Sequence, residues 1–299
     1  MMKTYLDCIP CFFRQALDAA RLAGVGEKTQ KKILDEVCGI IPTLKMTASP
    51  PEIARKIYKL LAEITGNKDP FKIIKIKSNK KALALYPQMK KVVERSKDRL
   101  LAALELAVAG NIIDYGVKNH LDVEKEIKKL FNQEAETIKQ EKKGIFEYQA
   151  FKKALAKASR ILYLADNAGE VVFDRILLKE LIRLGKNDII YVVKESPVIN
   201  DALAEDAVFC GIGGYAEIMS SGCDAPGTVL KYCSPAFLKR LKTSDLIISK
   251  GQGNFEALSG EKLPVFFLFR AKCPVVAGHI GGKLGDIVLK RSDSYEIHS

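Results

Sequence analysis

Acidic and amide side chains follow the first buried β-strand that the sequence predicts. That strand covers residues 161–165, and Asp166 and Asn167 come directly after it, before a small-residue turn at Ala168 and Gly169. In an open α/β sheet, ligands bind beyond the carboxyl ends of the strands. Oxygen atoms of Asp and Asn are ligands that Mg²⁺ and similar hard cations accept. The alternative is that Asp166 or Asn167 only caps the next helix, as both residue types commonly do.

The loops after the next four predicted strands carry similar residues. We predict these strands at residues 188–193, 216–220, 246–249 and 265–269. The loops that follow them read, in chain order, KESPVIND (194–201), SGCDAPGT (221–228), KGQGNFE (250–256) and RAK (270–272). In a parallel sheet all of these loops lie at one edge. Carboxylates, amides, lysines and glycines are therefore expected to converge on a single crevice.

The residue types in this crevice suit the chemistry of phosphate esters. Asp and Asn can hold a divalent cation through few protein ligands, which leaves coordination positions for phosphate and water. Gly251 and Gly253 allow backbone N–H groups to approach an anion closely. Lys250 and Lys272 add positive charge, which stabilises a phosphoryl-transfer transition state.

Several of these segments occur together, and in the same order, in one known family. They are DNAGE (166–170), INDA (199–202), DAPGT (224–228), KGQGNFE (250–256) and RAKC (270–273), preceded by CIPC (8–11) and GNIIDYG (110–116). Over nearly its whole length the chain resembles the domain-of-unknown-function 89 family, also called the damage-control phosphatases. The CIPC pair is similar to that of the archaeal and bacterial branch. Substrates of the eukaryotic branches are therefore not carried over.

The resemblance implies a metal-dependent phosphatase that hydrolyses small phosphorylated metabolites, often sugar phosphates. It assigns Asp166, Asn167 and Asp201 as ligands of a divalent cation, with Mg²⁺, Mn²⁺, Co²⁺ and Ni²⁺ as candidates. We expect Asp166, Asp201 and Lys250 to be catalytic, with the role of Asp166 as nucleophile or only as ligand left open. The expected substrate-binding residues are Asp166, Asn167, Glu170, Lys250, Gly251, Gly253, Asn254 and Lys272.

The hydrophobic pattern changes near residue 150. Residues 1–150 carry almost only helical periodicity, whereas residues 151–299 alternate short β-rich runs with helix-length segments. Such alternation is typical of βαβ crossovers, and near-continuous apolar runs suit strands buried on both faces. We predict a multihelical region of one or two subdomains, then a Rossmann-like three-layer α/β/α catalytic domain. Its mostly parallel sheet has an edge strand at 287–290. A helix that begins after Asp69-Pro70 is expected to end at Tyr86-Pro87.

Composition limits the class of protein. The 299 residues are 47% hydrophobic, which is enough for a folded core, and the net charge is +12. Positive charge favours acidic small substrates or nucleic acid. No run of 18 uncharged apolar residues exists, and Asp7 precedes any N-terminal apolar run, so we predict a cytoplasmic protein without membrane spans. The expected partner is a small phosphorylated metabolite, and the oligomeric state is not predicted.

Two other functions fit parts of the pattern. An S-adenosylmethionine- or nucleotide-dependent transferase would use the same sheet, but it needs a glycine-rich turn after the first strand, where this chain has one glycine. A basic nucleic-acid-binding module would explain the charge. However, the sequence contains no zinc-finger motif and no RNP-like aromatic motif that would support nucleic-acid binding.

Two polar motifs in the helical half allow more than one interpretation. Cys8 and Cys11 have the spacing of a metal-binding or redox pair, but no second pair completes a zinc site, and a helix core is the alternative. Asn111 and Asp114 follow a glycine and lie on one helical face. They either contact the crevice or cap a helix.

Overall fold

The computed structural model describes residues 2–110 and 145–292. Within these ranges the chain forms eleven α-helices and one six-stranded sheet. The helices are α1 (Cys8–Leu22), α2 (Glu27–Ile40), α3 (Pro50–Thr65), α4 (Lys72–Arg95), α5 (Arg99–Ala109), α6 (Tyr148–Lys157), α7 (Glu170–Arg183), α8 (Ala204–Phe209), α9 (Pro235–Thr243), α10 (Gln252–Leu258) and α11 (Pro274–Ile280). The strands are β1 (Arg160–Leu164), β2 (Asp188–Val193), β3 (Glu217–Ser220), β4 (Leu246–Lys250), β5 (Val265–Arg270) and β6 (Ile287–Arg291).

The strand order is β3-β2-β1-β4-β5-β6, which confirms the predicted Rossmann-like sheet. Strands β1 to β5 are parallel, and β6 pairs antiparallel with β5 at the edge. Because β1 pairs with both β2 and β4, the strand order reverses between β1 and β4. The loops after these two strands therefore run to opposite faces of the sheet and leave a crevice between them. Sheets of this type bind ligands in that crevice.

Alternating side chains of the strands form an apolar cluster on each face of the sheet. On one face, Tyr163 of β1 joins Phe173 of α7 and Met89 of α4. On the other face, Leu162 of β1 joins Phe255 of α10. Burial of each such large apolar side chain contributes about 1.5–3 kcal/mol. Helices on both faces give the predicted three layers.

The helices of the first half divide between two cores. Buried residues of α1, α2 and α3, including Phe12, Ile33 and Ile53, form a cluster of their own. Buried residues of α4 and α5 join the core of the sheet instead. The predicted division of the chain at residue 150 stays a prediction, and Asn111 and Asp114 lie outside the described residues.

The predicted end of the fourth helix at Tyr86-Pro87 is wrong, because α4 continues through Pro87 to Arg95. A proline inside a helix costs about 3 kcal/mol, since one backbone hydrogen bond is lost and the ring meets the preceding turn. Leu85, Met89 and Val93 are buried on both sides of Pro87. Their burial against the sheet offsets that cost.

No helix within residues 2–110 and 145–292 combines the length and the apolar character that a membrane span requires.

Candidate functional site

Neither Asp166 nor Asn167 caps the helix that follows β1. The N-cap position of α7 is Gly169, with a φ of 84°. The Asn167 side chain instead donates to Asp166 Oδ2 at 2.9 Å and to Glu170 Oε1 at 3.0 Å. Both amide hydrogens of Asn167 are therefore used to hold two carboxylates in place. The capping alternative does not account for either residue.

The loop after β2 pairs with the loop after β1. Two backbone hydrogen bonds of 2.8 Å join them, from Ala168 N–H to the Asn200 carbonyl and from Ala202 N–H to the Asp166 carbonyl. Between these bonds, Asn167 and Asp201 face each other as an antiparallel bridge pair. In this type of pair the Cα atoms are about 4.5 Å apart and the side chains lie on one side. The pairing brings Asp201 next to Asp166 and Asn167, although Asp201 lies more than thirty positions later in the sequence.

Asp201 forms a buried ion pair. Its Oδ2 lies 3.5 Å from Nζ of Lys194, and both side chains are almost inaccessible to solvent. Asp201 does not cap α8, whose N-cap is Leu203. Lys194 thus offsets part of the negative charge of this loop.

Three carboxylates crowd together at this edge of the sheet. Burial, and the nearby charges of Glu170 and Asp201, raise the pKa of Asp166 well above its usual range, although Lys272 and Lys250 oppose the shift. Burial also raises the pKa of Glu170. A bound cation relieves such crowding, and two carboxylates with an amide are suitable donors for a hard divalent ion.

The described residues contain no group of three His, Cys, Asp or Glu side chains arranged to enclose a metal ion. The expected ligand set has only two such residues, Asp166 and Asp201, together with Asn167. This set fits Mg²⁺-like ions, which are commonly held by one or two carboxylates and keep water or phosphate as their other ligands.

Lys250 lies beneath the crevice and not in it. Its side chain is 1% exposed, and its Nζ lies 2.8 Å from Asp174 Oδ1 and 3.1 Å from Glu170 Oε2. Asp174 also accepts the hydroxyl hydrogens of Tyr163 at 2.7 Å and Tyr191 at 2.8 Å. Lys250 therefore fixes Glu170, which in turn fixes Asn167. The expected catalytic and substrate-binding role of Lys250 stays a prediction.

Asn254 uses its whole side-chain amide inside the protein. It donates to the carbonyls of Ala165 at 3.1 Å and Lys250 at 2.8 Å. Its Oδ1 accepts the N–H and the hydroxyl of Thr228 at 2.7 and 2.8 Å. Asn254 thus joins the ends of β1 and β4 to the loop after β3. Its expected contact with substrate stays a prediction.

Glycines allow the loops to approach one another closely. Gly251 has a φ of 84°, and a Cβ atom at this position would overlap the Asp166 carboxylate. A Cβ atom at Gly253 would meet the carbonyl oxygen of Pro226. Gly251 therefore supports Asp166 directly, and Gly253 lets the loop after β3 come close to α10.

A cleft of about 720 Å³ opens over these loops. Its polar side includes Asp166, Asn167, Asp201, Gln252, Gly253, Glu256 and Lys272. The facing wall comes from α1, α3 and the start of α4, and includes Phe12, Ala54, Tyr58, Phe71 and Ile74. This volume is within the usual range of small-molecule sites, about 300–1,000 Å³.

Ion pairs hold the α3 wall against the loop after β3. Arg55 forms a two-pronged contact with Asp224, in which Nη2 lies 2.9 Å from Oδ2. Lys59 Nζ lies 3.0 Å from the same oxygen. Such bidentate pairs are geometrically specific. These contacts join α3, which forms part of the cleft wall, to the DAPGT loop.

Comparison with known proteins adds to this geometry. A family model described as the damage-control phosphatase ARMT1-like domain matches residues 4–288. The chain belongs to the damage-control phosphatase family. It is 33% identical to a damage-control phosphatase of Archaeoglobus fulgidus, with 97% of this chain and 99% of that protein covered. It is 30% identical to a damage-control phosphatase of Pyrococcus horikoshii, with the same two coverages.

A solved structure agrees with the family assignment. The crystal structure of a DUF89 family protein from Pyrococcus horikoshii has a TM-score of 0.88, with 30% identity, and the match covers 98% of this chain and 100% of that one. The resemblance read from the sequence is thereby confirmed. Family membership and the named relatives support phosphatase activity for this damage-control phosphatase homologue.

Of the residues expected at the site, five line the cleft: Asp166, Asn167, Asp201, Gly253 and Lys272. The other four, Glu170, Lys250, Gly251 and Asn254, lie behind these and hold them in place. All nine are brought to one region by the parallel sheet. The assignment of individual roles stays a prediction.

Sequence reasoning missed several cleft residues. Gln252 donates to Glu256 Oε1 at 2.9 Å and accepts the Lys272 N–H at 2.8 Å. Burial raises the pKa of Glu256 to about 7. Burial, with the charges of Asp201 and Asp18, raises the pKa of Tyr58. Gln252 and Glu256 lie one helical turn apart inside KGQGNFE, so their sequence spacing could have indicated that they share a face of the helix. No sequence pattern indicates that Tyr58 on α3 reaches the cleft.

We expect Gly251→Ala to disrupt the site. The new methyl group would displace the Asp166 carboxylate. The backbone at this position, with φ 84° and ψ 155°, is also one that costs L-residues about 1–3 kcal/mol. Divalent-cation binding, measured by calorimetry, should fall together with the melting temperature. Gly24→Ala is the matched control, because Gly24 has a φ of 74° and nothing within 4 Å of a Cβ position. Equal effects of both substitutions on cation binding would contradict the contact with Asp166.

Proposed function

We propose that this protein is a metal-dependent phosphatase that hydrolyses small phosphomonoesters, including sugar-phosphate-like ones. The observation that carries the proposal is the pairing of the loops after β1 and β2, which presents Asp166, Asn167 and Asp201 to one cleft. Family membership supports the reaction type. The cytoplasm is the proposed location.

The proposed cation is Mg²⁺, Mn²⁺, Co²⁺ or Ni²⁺, held by Asp166, Asn167 and Asp201. When bound, such an ion polarises a phosphoryl oxygen and neutralises charge that develops in the transition state. Asn167 donates to Asp166, so this carboxylate needs little reorganisation.

The phosphate end of the substrate is proposed to lie between these loops and Lys272. The Lys272 ammonium lies close enough to Asp166 and Glu170 to oppose the rise in the pKa of both carboxyls, so a dianionic phosphate would enter a region with compensating positive charge. The leaving group would then face Tyr58 and Phe71 across the cleft. Apolar and aromatic side chains on this wall exclude water from the reacting end.

A nucleotide- or S-adenosylmethionine-dependent transferase is less well supported. Such enzymes bind phosphate or the cofactor with free backbone N–H groups in the turn after β1. Here the N–H of Ala168 donates to Asn200 at 2.8 Å, and the N–H of Gly169 donates to Asn79 Oδ1 at 2.6 Å. Both turn donors are therefore engaged within the protein.

The test is release of inorganic phosphate from a panel of phosphomonoesters that includes hexose, pentose and triose phosphates. The protein is first treated with EDTA, then assayed with Mg²⁺, Mn²⁺, Co²⁺ or Ni²⁺ added singly. We expect activity only with added metal, and none in an Asp201→Asn preparation purified in parallel. Absence of phosphate release with every metal, or equal release after EDTA, would contradict the proposal.

A further inference from the structure

Two cysteines lie together on the segment after β3. Their sulfur atoms approach the same carbonyl oxygen, that of Val229, at 3.9 Å for Cys223 and 3.4 Å for Cys233. Cys233 is also a hydrogen-bond partner of the Cys223 thiol. Cys223 is buried, whereas Cys233 is partly exposed. The two thiols therefore lie at the same carbonyl group, and one of them is reachable from solvent.

The surroundings of Cys223 favour its thiolate. The Cys233 S–H, the Lys194 ammonium and the N–H groups of Ala225 and Val229 lower the pKa of Cys223 to about 6, against the effect of burial. A free cysteine has a pKa of about 8.5. The same contact raises the pKa of Cys233. At neutral pH the pair therefore consists of one nucleophilic thiolate and one neutral thiol beside it.

We propose that Cys223 and Cys233 are a redox-active pair, which a peroxide converts into a reversible disulfide. The Cys223 thiolate attacks one oxygen of hydrogen peroxide, the O–O bond breaks, and a sulfenic acid and hydroxide are formed. Hydroxide takes the proton of Cys233 and becomes water. The Cys233 sulfur then attacks the sulfenic sulfur, the S–O bond breaks, and hydroxide leaves. Two sulfur atoms lose two electrons in total, and the peroxide gains them.

This pair is distinct from the other cysteines in the described ranges. Cys38 and Cys11 are both exposed. Burial raises the pKa of Cys8 and of Cys273. Because thiolate fraction governs the rate of attack on peroxide, Cys223 should react before the exposed Cys38, although it is less accessible.

The experiment treats the fully reduced protein at pH 7 with hydrogen peroxide, then alkylates remaining thiols and maps them by mass spectrometry. We expect a Cys223–Cys233 disulfide to form while Cys38 stays reduced, and dithiothreitol to reverse it. Cys233→Ser removes the second thiol, so a sulfenic acid at Cys223 should persist and react with dimedone. Lys194→Met should slow the reaction, because it removes a charge that stabilises the thiolate.

The pH dependence provides a second measurement that does not depend on a variant. With a Cys223 pKa of about 6, the rate of peroxide consumption should be nearly constant from pH 7 to pH 9 and fall below pH 6. Oxidation of Cys38 ahead of Cys223, a Cys8–Cys11 disulfide in place of Cys223–Cys233, or a rate that rises tenfold per pH unit from pH 7 would each overturn the proposal.

Discussion

Asp201→Asn is expected to lower divalent-cation affinity by more than about 100-fold and to remove phosphatase activity. Changes to residues that hydrogen-bond to a metal ligand cost about 10–100-fold in metal affinity, and loss of a charged ligand should exceed that. The structure adds a second consequence. Asp201 forms a buried pair with Lys194, so the neutral amide leaves the ammonium with less compensation. We therefore also expect the metal-free protein to lose about 1–3 kcal/mol of stability.

Lys194→Met separates these two effects. It removes the other half of the ion pair but leaves the carboxylate of Asp201 in place. If Asp201 is a ligand, this variant should bind Mn²⁺ at least as tightly as the original protein, because a competing positive charge is gone. Its metal-free stability should still fall. Calorimetric titration with Mn²⁺ and thermal unfolding after EDTA provide both values. If Asp201→Asn and Lys194→Met lowered the Mn²⁺ affinity equally, Asp201 would be a structural partner of Lys194 and not a metal ligand.

The sheet and its loops could be predicted because their signals are local. Apolar runs such as residues 188–193 and 265–269 are too short for helices, and they are separated by helix-length segments. One topological rule then places all the following loops at one edge. This explains why Asp166, Asn167 and Asp201 could be grouped although no sequence pattern joins them.

The facing wall of the cleft could not be predicted, because it depends on long-range packing. Tyr58 and Phe71 lie in a helical region whose periodicity indicates which faces are buried but not what they pack against. The continuation of α4 through Pro87 was missed for the same reason. Local propensity predicts a break, and tertiary burial of Leu85 and Met89 overrides it.

The sequence does contain a pattern that indicates the buried position of Lys250. Along β4, Ile248 and Lys250 are two residues apart and therefore face the same side of the sheet, which is the α7 side. Glu170 and Asp174 are one turn apart near the start of α7, so they point in one direction. Lys250 ends a buried strand and faces two acidic residues on a buried helix. This pattern indicates a structural ion pair inside the protein as readily as it indicates a catalytic lysine.

Lys250→Met is expected to be the most destabilising single substitution proposed for this protein. Methionine has a similar length and keeps the packing, but Glu170 and Asp174 both lose the ammonium that lies within hydrogen-bond distance of them. Both carboxylates are 2% exposed or less. Removal of one partner from a buried ion pair costs about 3–5 kcal/mol, which corresponds to a fall in melting temperature of roughly 5–8 °C for a chain of this size.

Two further variants test whether this loss comes from uncompensated charge. Lys31→Met breaks an exposed pair with Asp35 and should change the melting temperature little. Lys250→Met combined with Asp174→Asn removes one negative charge along with the positive one, and an amide oxygen still accepts a hydroxyl hydrogen from Tyr163 or Tyr191. This double variant should regain a large part of the stability lost in Lys250→Met. A catalytic lysine in the cleft predicts the opposite pattern, in which Lys250→Met keeps the melting temperature and loses only turnover, with no rescue by Asp174→Asn.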